Sequence, residues 1–169
     1  MLVASSAVAA EPDLTQVVSE GVVKASPEQL FRIWVDPAEY KKRLGVGACD
    51  IDFKLQGLIR TAYDATVKLD SEGAIHQQLL AWEPNRMVAF RIHRPPKGFP
   101  FPNAWQKVWS VVTLTDRGDG TTLFRLAMVG YDASEESQKM RAFFEKGNGW
   151  TLKHLQESFD PPKDGGVPR

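Results

Sequence analysis

The sequence SPEQLFRIWVDPAEYKKRLG, residues 26–45, contains two helix starts ten residues apart and decides the order of the predicted fold. Ser26-Pro27-Glu28-Gln29 supplies a capping serine, a proline suited to the first helical position and the glutamine of a capping box. Asp36-Pro37-Ala38-Glu39 repeats this signal, with an aspartate as the cap. We therefore predict two short helices joined at a bend, the second ending at Gly45.

The segments on both sides of these helices have the alternating pattern of half-buried strands. Thr15–Ala25 precedes the helices and is rich in β-branched residues, so it predicts a first strand. About six more strands are predicted after the helices, at residues 50–55, 59–67, 75–82, 87–93, 106–115 and 121–131. Short connections such as Glu83–Arg86 and Asp116–Gly120 require antiparallel neighbours, because a parallel pair needs a long crossover.

The C-terminal part of the sequence predicts one long helix. Asp132-Ala133-Ser134-Glu135 is a third capping box, and Pro161-Pro162 ends the helix after Asp160. At about 1.5 Å per residue the helix crosses a small domain. Gly147-Asn148-Gly149 interrupts it at a cost of about 1 kcal/mol per glycine, so we expect a kink or a close approach of the backbone to the sheet.

The order of these elements predicts an α+β fold in which six to seven antiparallel strands curve around the C-terminal helix. We expect a single domain over residues 15–160 and a flexible tail over 161–169. Residues 1–14 are interpreted as a leader or as the remnant of a signal peptide, because Ala7-Val8-Ala9 has the small-x-small form of a cleavage site. A signal peptide implies a periplasmic or secreted protein; otherwise a cytoplasmic location is expected.

Composition excludes several classes of function. Lys plus Arg and Asp plus Glu both total 21, so no basic excess favours nucleic acid or an anionic membrane surface. Cys49 is the only cysteine, and the three histidines lack metal-ligand spacing, so neither a disulfide within the chain nor a metal site is predicted. No segment reaches the apolar length of a membrane span, and no cofactor motif is present. The sequence does not indicate an oligomeric state.

Three segments in order carry a family resemblance: Val22–Phe31, Leu79–Val88, and Gly149-Trp150 followed by Leu155. They resemble the START/SRPBCC helix-grip superfamily, and within it the heat-shock-protein-ATPase-activator-like and polyketide-cyclase-like group. The resemblance covers about Val17 to Phe159. It implies the helix-grip fold and an internal hydrophobic cavity, but no particular reaction, because this superfamily has no universal catalytic set.

Aromatic side chains and one methionine, predicted on the strands and the long helix, are the candidate ligand-binding residues. They are Phe53, Tyr63, Phe90, Trp105, Trp109, Phe124, Met128, Phe143 and Phe144. Two interpretations stand at this point: these side chains fill a core, or they line a pocket for a lipid-like or aromatic small molecule. Phe124, Leu126 and Met128 are expected to share one face of their strand, with Arg125 on the other.

The segment Arg94–Asn103 contains four prolines and two phenylalanines between two predicted strands. Proline lacks the donor that a strand ladder needs, so the segment is a connection. It is interpreted either as an ordinary stiff loop or as a lid whose Phe99 and Phe101 cover the mouth of the pocket.

The leading functional hypothesis is the binding of a hydrophobic small molecule without catalysis. The alternative is a cyclase- or hydrolase-type enzyme acting on a polyketide-like substrate with a polar residue of the pocket, such as His76 or Tyr63. No nucleophile–base arrangement or phosphate loop is present, so no catalytic residue is assigned. A third hypothesis, protein binding as in chaperone activators, follows from the resemblance alone.

Overall fold

The computed structural model describes residues 13–160, which form one seven-stranded sheet, three α-helices and one 3₁₀ helix. In chain order the elements are β1 (Gln16–Val23), α1 (Pro27–Arg32), α2 (Pro37–Leu44), β2 (Ala48–Ile51), β3 (Leu58–Ala62), β4 (Ile75–Glu83), β5 (Met87–Arg94), a 3₁₀ helix (Ala104–Lys107), β6 (Trp109–Asp116), β7 (Thr122–Val129) and α3 (Glu135–Phe159). The predicted tail and nearly all of the predicted leader lie outside the described residues.

The strands follow one another in the order β1-β7-β6-β5-β4-β3-β2, and every neighbouring pair is antiparallel. β1 pairs with β7 along its whole length, from Gln16 opposite Val129 to Val23 opposite Thr122. The chain then passes through α1 and α2 from one edge of the sheet to the other, where β2 lies. The predicted α+β helix-grip fold, a curved antiparallel sheet around a long C-terminal helix, is confirmed.

The helix starts at Ser26 and Asp36 have the geometry predicted from the sequence. The Ser26 hydroxyl accepts from the backbone N–H of Gln29 at 3.2 Å, and the Gln29 side chain accepts from the backbone N–H of Ser26 at 2.9 Å. The Asp36 carboxylate accepts from the backbone N–H groups of the second and third residues after it. Gly45 ends α2 with φ of 71°, a conformation that glycine adopts without steric cost.

Every predicted strand is present, but three of them differ from the observed strands by more than two residues at one end. β2 is Ala48–Ile51 rather than residues 50–55, because the chain turns through Gln56, which has a positive φ of 62°. β3 ends at Ala62 rather than at 67, because the chain turns after it. In this turn the Asp64 carboxylate accepts from the backbone N–H and the hydroxyl of Thr66. β6 begins at Trp109 rather than at 106, because Ala104–Lys107 is a 3₁₀ helix.

α3 runs without a break through Gly147-Asn148-Gly149. The predicted close approach of the sheet to these glycines is wrong, because a Cβ atom at either glycine would meet nothing within 4 Å. The close contact lies at Gly21 on β1, where a Cβ would stand 2.9 Å from Gln156 Nε2 and 3.2 Å from Leu152. The small residue that allows helix and sheet to approach is therefore on the sheet.

The buried side chains form two clusters, one near each end of α3. The first lies under α1, α2 and the end of α3, and it includes Leu30, Trp34, Phe90, Phe124 and Leu155. The second lies near the start of α3 and consists of Val17, Phe101, Val108, Met128, Tyr131 and Met140. Met140 and Leu155 are both 0% exposed, so α3 is anchored in both clusters. Its middle crosses the space between them.

Candidate ligand-binding cavity

A cavity of about 270 Å³ lies between the concave face of the sheet and α3, closed on one side by the segment that follows β5. Its wall contains aliphatic, aromatic and proline side chains together with a few neutral polar ones. The lining residues are Trp34, Tyr40, Leu44, Val46, Thr61, Tyr63, Ile75, Gln77, Phe90, Ile92, Pro95, Pro96, Phe99, Ser110, Phe124, Leu126, Met128, Phe143, Phe144, Asn148 and Thr151.

Alternate residues of the central strands form the floor of the cavity. On β7 these are Phe124, Leu126 and Met128, which share one face as their spacing predicts. Phe90 and Ile92 on β5 follow the same rule. Successive side chains of a strand point to opposite faces, so this period of two places the apolar residues of neighbouring strands side by side.

The α3 wall is the middle of a helical stripe that begins at Met140 and ends at Leu155. Phe144 and Asn148 follow Met140 at intervals of four residues, and Thr151 follows Asn148 at three, so all lie on the inner face. Asn148 is only 8% exposed. A polar amide therefore occupies the centre of an otherwise largely apolar helix face.

Trp34, between α1 and α2, forms the end wall of the cavity. Its ring lies 5.2 Å from that of Phe90 and 5.6 Å from that of Tyr40, the latter edge-on. The Tyr40 hydroxyl lies 3.3 Å from Gln77 Oε1, to which it donates, and burial raises the pKa of Tyr40 far above its ordinary value. The hydroxyl therefore stays protonated at neutral pH.

Two cavity-lining side chains carry buried donors that lack a hydrogen-bond partner among residues 13–160. These donors are the indole Nε1 of Trp34 and the amide Nδ2 of Asn148. Buried polar groups in proteins nearly always have a partner, so these two nitrogens, which are shielded within the packed side chains, are exceptions.

The segment after β5 closes the cavity with Pro95, Pro96 and Phe99. The Phe99 ring lies 6.3 Å from that of Phe143 and 6.2 Å from that of Phe144 on α3. The far end of the segment is tied to α3, because the Glu136 carboxylate accepts from the backbone N–H of Asn103 at 2.8 Å and of Ala104 at 2.9 Å. These bonds also lower the pKa of Glu136.

The structure brings six of the nine candidate ligand-binding residues together in the cavity wall: Tyr63, Phe90, Phe124, Met128, Phe143 and Phe144. The other three lie elsewhere. Phe53 packs between Phe31 and Trp82 after the end of β2, at ring distances of 6.0 and 4.7 Å. Trp105 lies in the 3₁₀ helix beside the second cluster, and Trp109 is 42% exposed.

The two predicted lid residues have different positions. Phe99 lines the cavity, whereas Phe101 is buried in the second cluster and is absent from the cavity wall. Their rings are in edge-on contact at 5.4 Å. Phe101 therefore anchors the segment, and Phe99 is the ring that faces the cavity.

Neither charged side chains nor histidines occur among the described residues that line the cavity. His76 lies on the other face of β4, where its Nε2 is 2.7 Å from the carbonyl oxygen of Leu69 and 2.8 Å from the guanidinium of Arg94. Burial lowers its pKa, and the neighbouring Arg94 lowers it further. Tyr63 does line the cavity, but at 70% exposure it stands at the rim.

Between residues 13 and 160, no group of three or more His, Cys, Asp or Glu side chains has the arrangement of a metal site. None of the helices in the same range is long and apolar enough to cross a membrane. Cys49 is a free thiol whose pKa burial raises to about 12.

Comparison with known proteins places this arrangement in a family. Residues 24–160 match the family model described as "Activator of Hsp90 ATPase homolog 1-like protein". No curated protein sequence matches the chain significantly.

Solved structures with the same fold share few residues with this chain. The Aha1 dimer from Colwellia psychrerythraea is 15% identical with a TM-score of 0.63, and the match covers 88% of this chain and 98% of that one. Protein MLL2253 from Mesorhizobium loti is 19% identical with a TM-score of 0.66, covering 88% and 99%. CalU16 from Micromonospora echinospora is 18% identical with a TM-score of 0.60, covering 86% and 76%. At these identities the likeness concerns the fold.

Proposed function

We propose that this chain, which belongs to the family of activator of Hsp90 ATPase homolog 1-like proteins, binds a hydrophobic small molecule in the cavity between its sheet and α3. The observation that carries the proposal is the cavity itself, which is lined, within residues 13–160, by 21 residues without a formal charge among them. Its volume of about 270 Å³ is close to the lower end of known ligand pockets.

The proposal has a simple energetic basis. Apolar surface removed from water contributes about 25 cal/mol per Å², and the cavity walls lack the dispersion contacts that a filled interior has. A ligand that fills the space restores those contacts without disturbing the two anchored clusters. We propose the six lining residues predicted from the sequence, together with Trp34 and Leu126, as the main apolar contacts, and Phe99 as the lid.

The charge pattern supports binding over acid–base catalysis. Tyr40 and Tyr63 are the only titratable side chains among the described lining residues, and burial keeps the Tyr40 hydroxyl protonated. A general base for cyclase or hydrolase chemistry needs a pKa close to the working pH. His76, the best such candidate in the sequence, faces away from the cavity.

The test uses N-phenyl-1-naphthylamine, a neutral dye that fluoresces in apolar sites. We expect saturable binding to the protein and much weaker binding to the variant Leu126→Trp, in which the larger ring occupies part of the space that the dye needs. Leu123→Trp is the matched control, because Leu123 lies on the same strand but outside the cavity wall. Equal dye binding by both variants, or no dye binding by the unmodified protein, would contradict the proposal.

The family match favours a second function, the stimulation of an Hsp90-type chaperone through protein contacts. Its test is the ATP hydrolysis rate of a purified Hsp90 with and without this protein. If the unmodified protein and Leu126→Trp stimulate ATP hydrolysis equally, the activity belongs to the outer surface and not to the cavity. An unchanged rate at saturating protein would rule it out for that chaperone.

A further inference from the structure

The outer face of the sheet, on the side opposite the cavity, carries apolar side chains in contact with solvent. Because successive residues of a strand point to opposite faces, the neighbours of cavity-lining residues such as Phe90, Ser110 and Met128 point outward. Val18 on β1 and Trp109 on β6 lie on this outer face and are 43% and 42% exposed. An exposed apolar surface that spans several strands indicates a binding surface.

One row of the outer face crosses four adjacent strands with side chains of alternating size. Val18 on β1 is opposite Ala127 on β7. Val111 on β6 comes next, with Ala127 opposite it on one side and Ala89 of β5 opposite it on the other. The two alanines are 3% and 2% exposed, so they lie as hollows beside the larger valines. The row therefore alternates large, small, large, small.

This order is complementary to itself. A second copy of the chain, turned about a two-fold axis that runs along the strands between β7 and β6, presents the same row in reverse order. Val18 then faces Ala89 of the second copy, and Val111 faces Ala127 of the second copy. Each large side chain meets a small one, which is the interdigitation by which two sheets pack face to face about 10 Å apart.

The row on one side of it fits the same axis. Across the four strands this row consists, in order, of Gln16, Val129, Trp109 and Arg91. The axis places Trp109 over Val129 of the second copy, so the exposed indole gains an apolar contact. It places Arg91 over Gln16 of the second copy, whose side-chain oxygen can accept a hydrogen bond from the guanidinium.

The row on the other side contains the remaining charges. It consists, in order, of Glu20, Arg125, Thr113 and Met87. Glu20 and Arg125 form an ion pair at 3.7 Å within one copy. The axis places this pair over Met87 and Thr113 of the second copy. No two like charges face each other in any of the three rows, so electrostatic repulsion does not oppose the pairing.

We propose that the outer face of β1, β7, β6 and β5 binds a second copy of this chain in a two-fold dimer. Four strands about 4.8 Å apart and four alternate residues about 6.8 Å apart give a patch of roughly 500 Å² per copy, or about 1,000 Å² in the pair. This is the small end of specific interfaces, so the dimer should be weak and reversible, with a dissociation constant in the micromolar range. The cavity lies on the other side of the sheet, so each copy keeps its own.

Sedimentation equilibrium of the unmodified protein, from micromolar to submillimolar concentration, should show a reversible monomer–dimer equilibrium. Val18→Asp buries a charge against an alanine of the second copy and should raise the dissociation constant about tenfold or more. Val35→Asp is the matched control, because Val35 is 37% exposed but lies between α1 and α2, away from the outer face. It should leave the equilibrium unchanged.

An exchange of two side chains tests the alternation itself. Ala127→Val brings two valines together across the axis, and Val111→Ala leaves a gap, so each should weaken the dimer. The double variant restores a large residue over a small one and should return the dissociation constant to within about twofold of the original, which is the coupling expected of residues in contact. Far-UV circular dichroism confirms that each variant is folded.

The outcomes separate the proposal from its alternatives. A monomer at every concentration would overturn the dimer and leave the ligand-binding proposal intact, because the two use opposite faces of the sheet. An equal effect of Val18→Asp and Val35→Asp would place the contact elsewhere on the molecule. A trimer or larger species would contradict the two-fold arrangement, and a double variant weaker than both single ones would contradict the proposed pairing of rows.

Discussion

His76 is a buried histidine held between groups that favour opposite protonation states. The carbonyl oxygen of Leu69, 2.7 Å from Nε2, favours a protonated ring nitrogen, whereas the Arg94 guanidinium, at 2.8 Å, can only donate and favours an unprotonated one. Burial decides the balance, and the pKa of His76 is lowered from its ordinary value of 6.5. The neutral ring is therefore the form that the fold stabilises.

This shift predicts that the protein loses stability as the pH falls through 6.5. The unfolded chain binds a proton at His76 more readily than the folded one, so the free energy of unfolding decreases on acidification and the contribution is fully present only above 6.5. The slope from one group is at most about 1.4 kcal/mol per pH unit. Urea denaturation at pH 7.5 and at pH 5.5 measures it, and His76→Gln should remove the difference. An equal pH dependence in the variant would assign the effect to other groups.

The environments of the Asn148 and Trp34 side chains could not be predicted from the sequence. Asn148 lies four residues after Phe144 and seven before Leu155, a spacing that indicates the inner face of α3. The glycines on both sides instead favour the prediction of a kink or a close approach to the sheet. Trp34 packs in the first core cluster. That its N–H has no partner within residues 13–160 depends on the positions of distant side chains, which local patterns do not specify.

The segment between β5 and the 3₁₀ helix contains two phenylalanines, Phe99 and Phe101, with different environments. Phe101 is 9% exposed and belongs to the second cluster, whereas Phe99 is only partly buried and lines the cavity. We expect Phe99→Ala to increase the dissociation rate of N-phenyl-1-naphthylamine several-fold while lowering the free energy of unfolding by less than about 1.5 kcal/mol. Stopped-flow fluorescence and urea denaturation give the two quantities.

Phe101→Ala is the matched comparison within the same segment. It removes a buried ring and should lower the free energy of unfolding by about 3 kcal/mol or more. If both variants changed dissociation and stability in equal proportion, the segment would be an ordinary stiff connection and not a lid.

The α3 glycines carry a prediction about stability. Gly147 and Gly149 have helical neighbours and open space around them, so alanine meets no obstacle at either position. Gly147→Ala and Gly149→Ala should each raise the free energy of unfolding by up to about 1 kcal/mol, seen as a higher urea midpoint. Gly130→Ala is the contrasting control, because Gly130 has φ of 101° and its Cβ would lie 2.3 Å from the Lys107 carbonyl oxygen. Destabilisation by both helix variants would show that the glycines serve a contact.

Local signals account for the success and failure of the element predictions. The caps at Ser26 and Asp36 and the glycine at 45 act within a few residues, so their effect is visible in the sequence. The ends of β2 and β3 depend on turns that lack the usual glycine–proline signal. One of them passes through Gln56, which has a positive φ. The 3₁₀ helix containing Trp105 is held by Glu136 on α3, a contact between distant parts of the chain.

At the scale of the whole molecule, the cavity lies between two packed core clusters. α3 is fixed at Met140 in the second cluster and at Leu155 in the first. The cavity wall takes Phe90 and Phe124 from the first cluster and Met128 from the second. The family resemblance implied such a cavity, and the aromatic content of the sequence allowed one, but only the three-dimensional arrangement places it between the clusters.

A ligand in this cavity contacts both clusters, so it should stabilise both together. With N-phenyl-1-naphthylamine at about 100 times its dissociation constant, the free energy of unfolding should rise by about 2.7 kcal/mol. Hydrogen exchange measured at the amides near Met140 and near Leu155, the two anchors of α3, should slow by the same factor. Leu126→Trp, in which the indole obstructs the cavity, should show much smaller changes on adding the dye. Protection confined to the Leu155 end would mean that the ligand stabilises one cluster alone, and that α3 does not couple the two ends of the molecule.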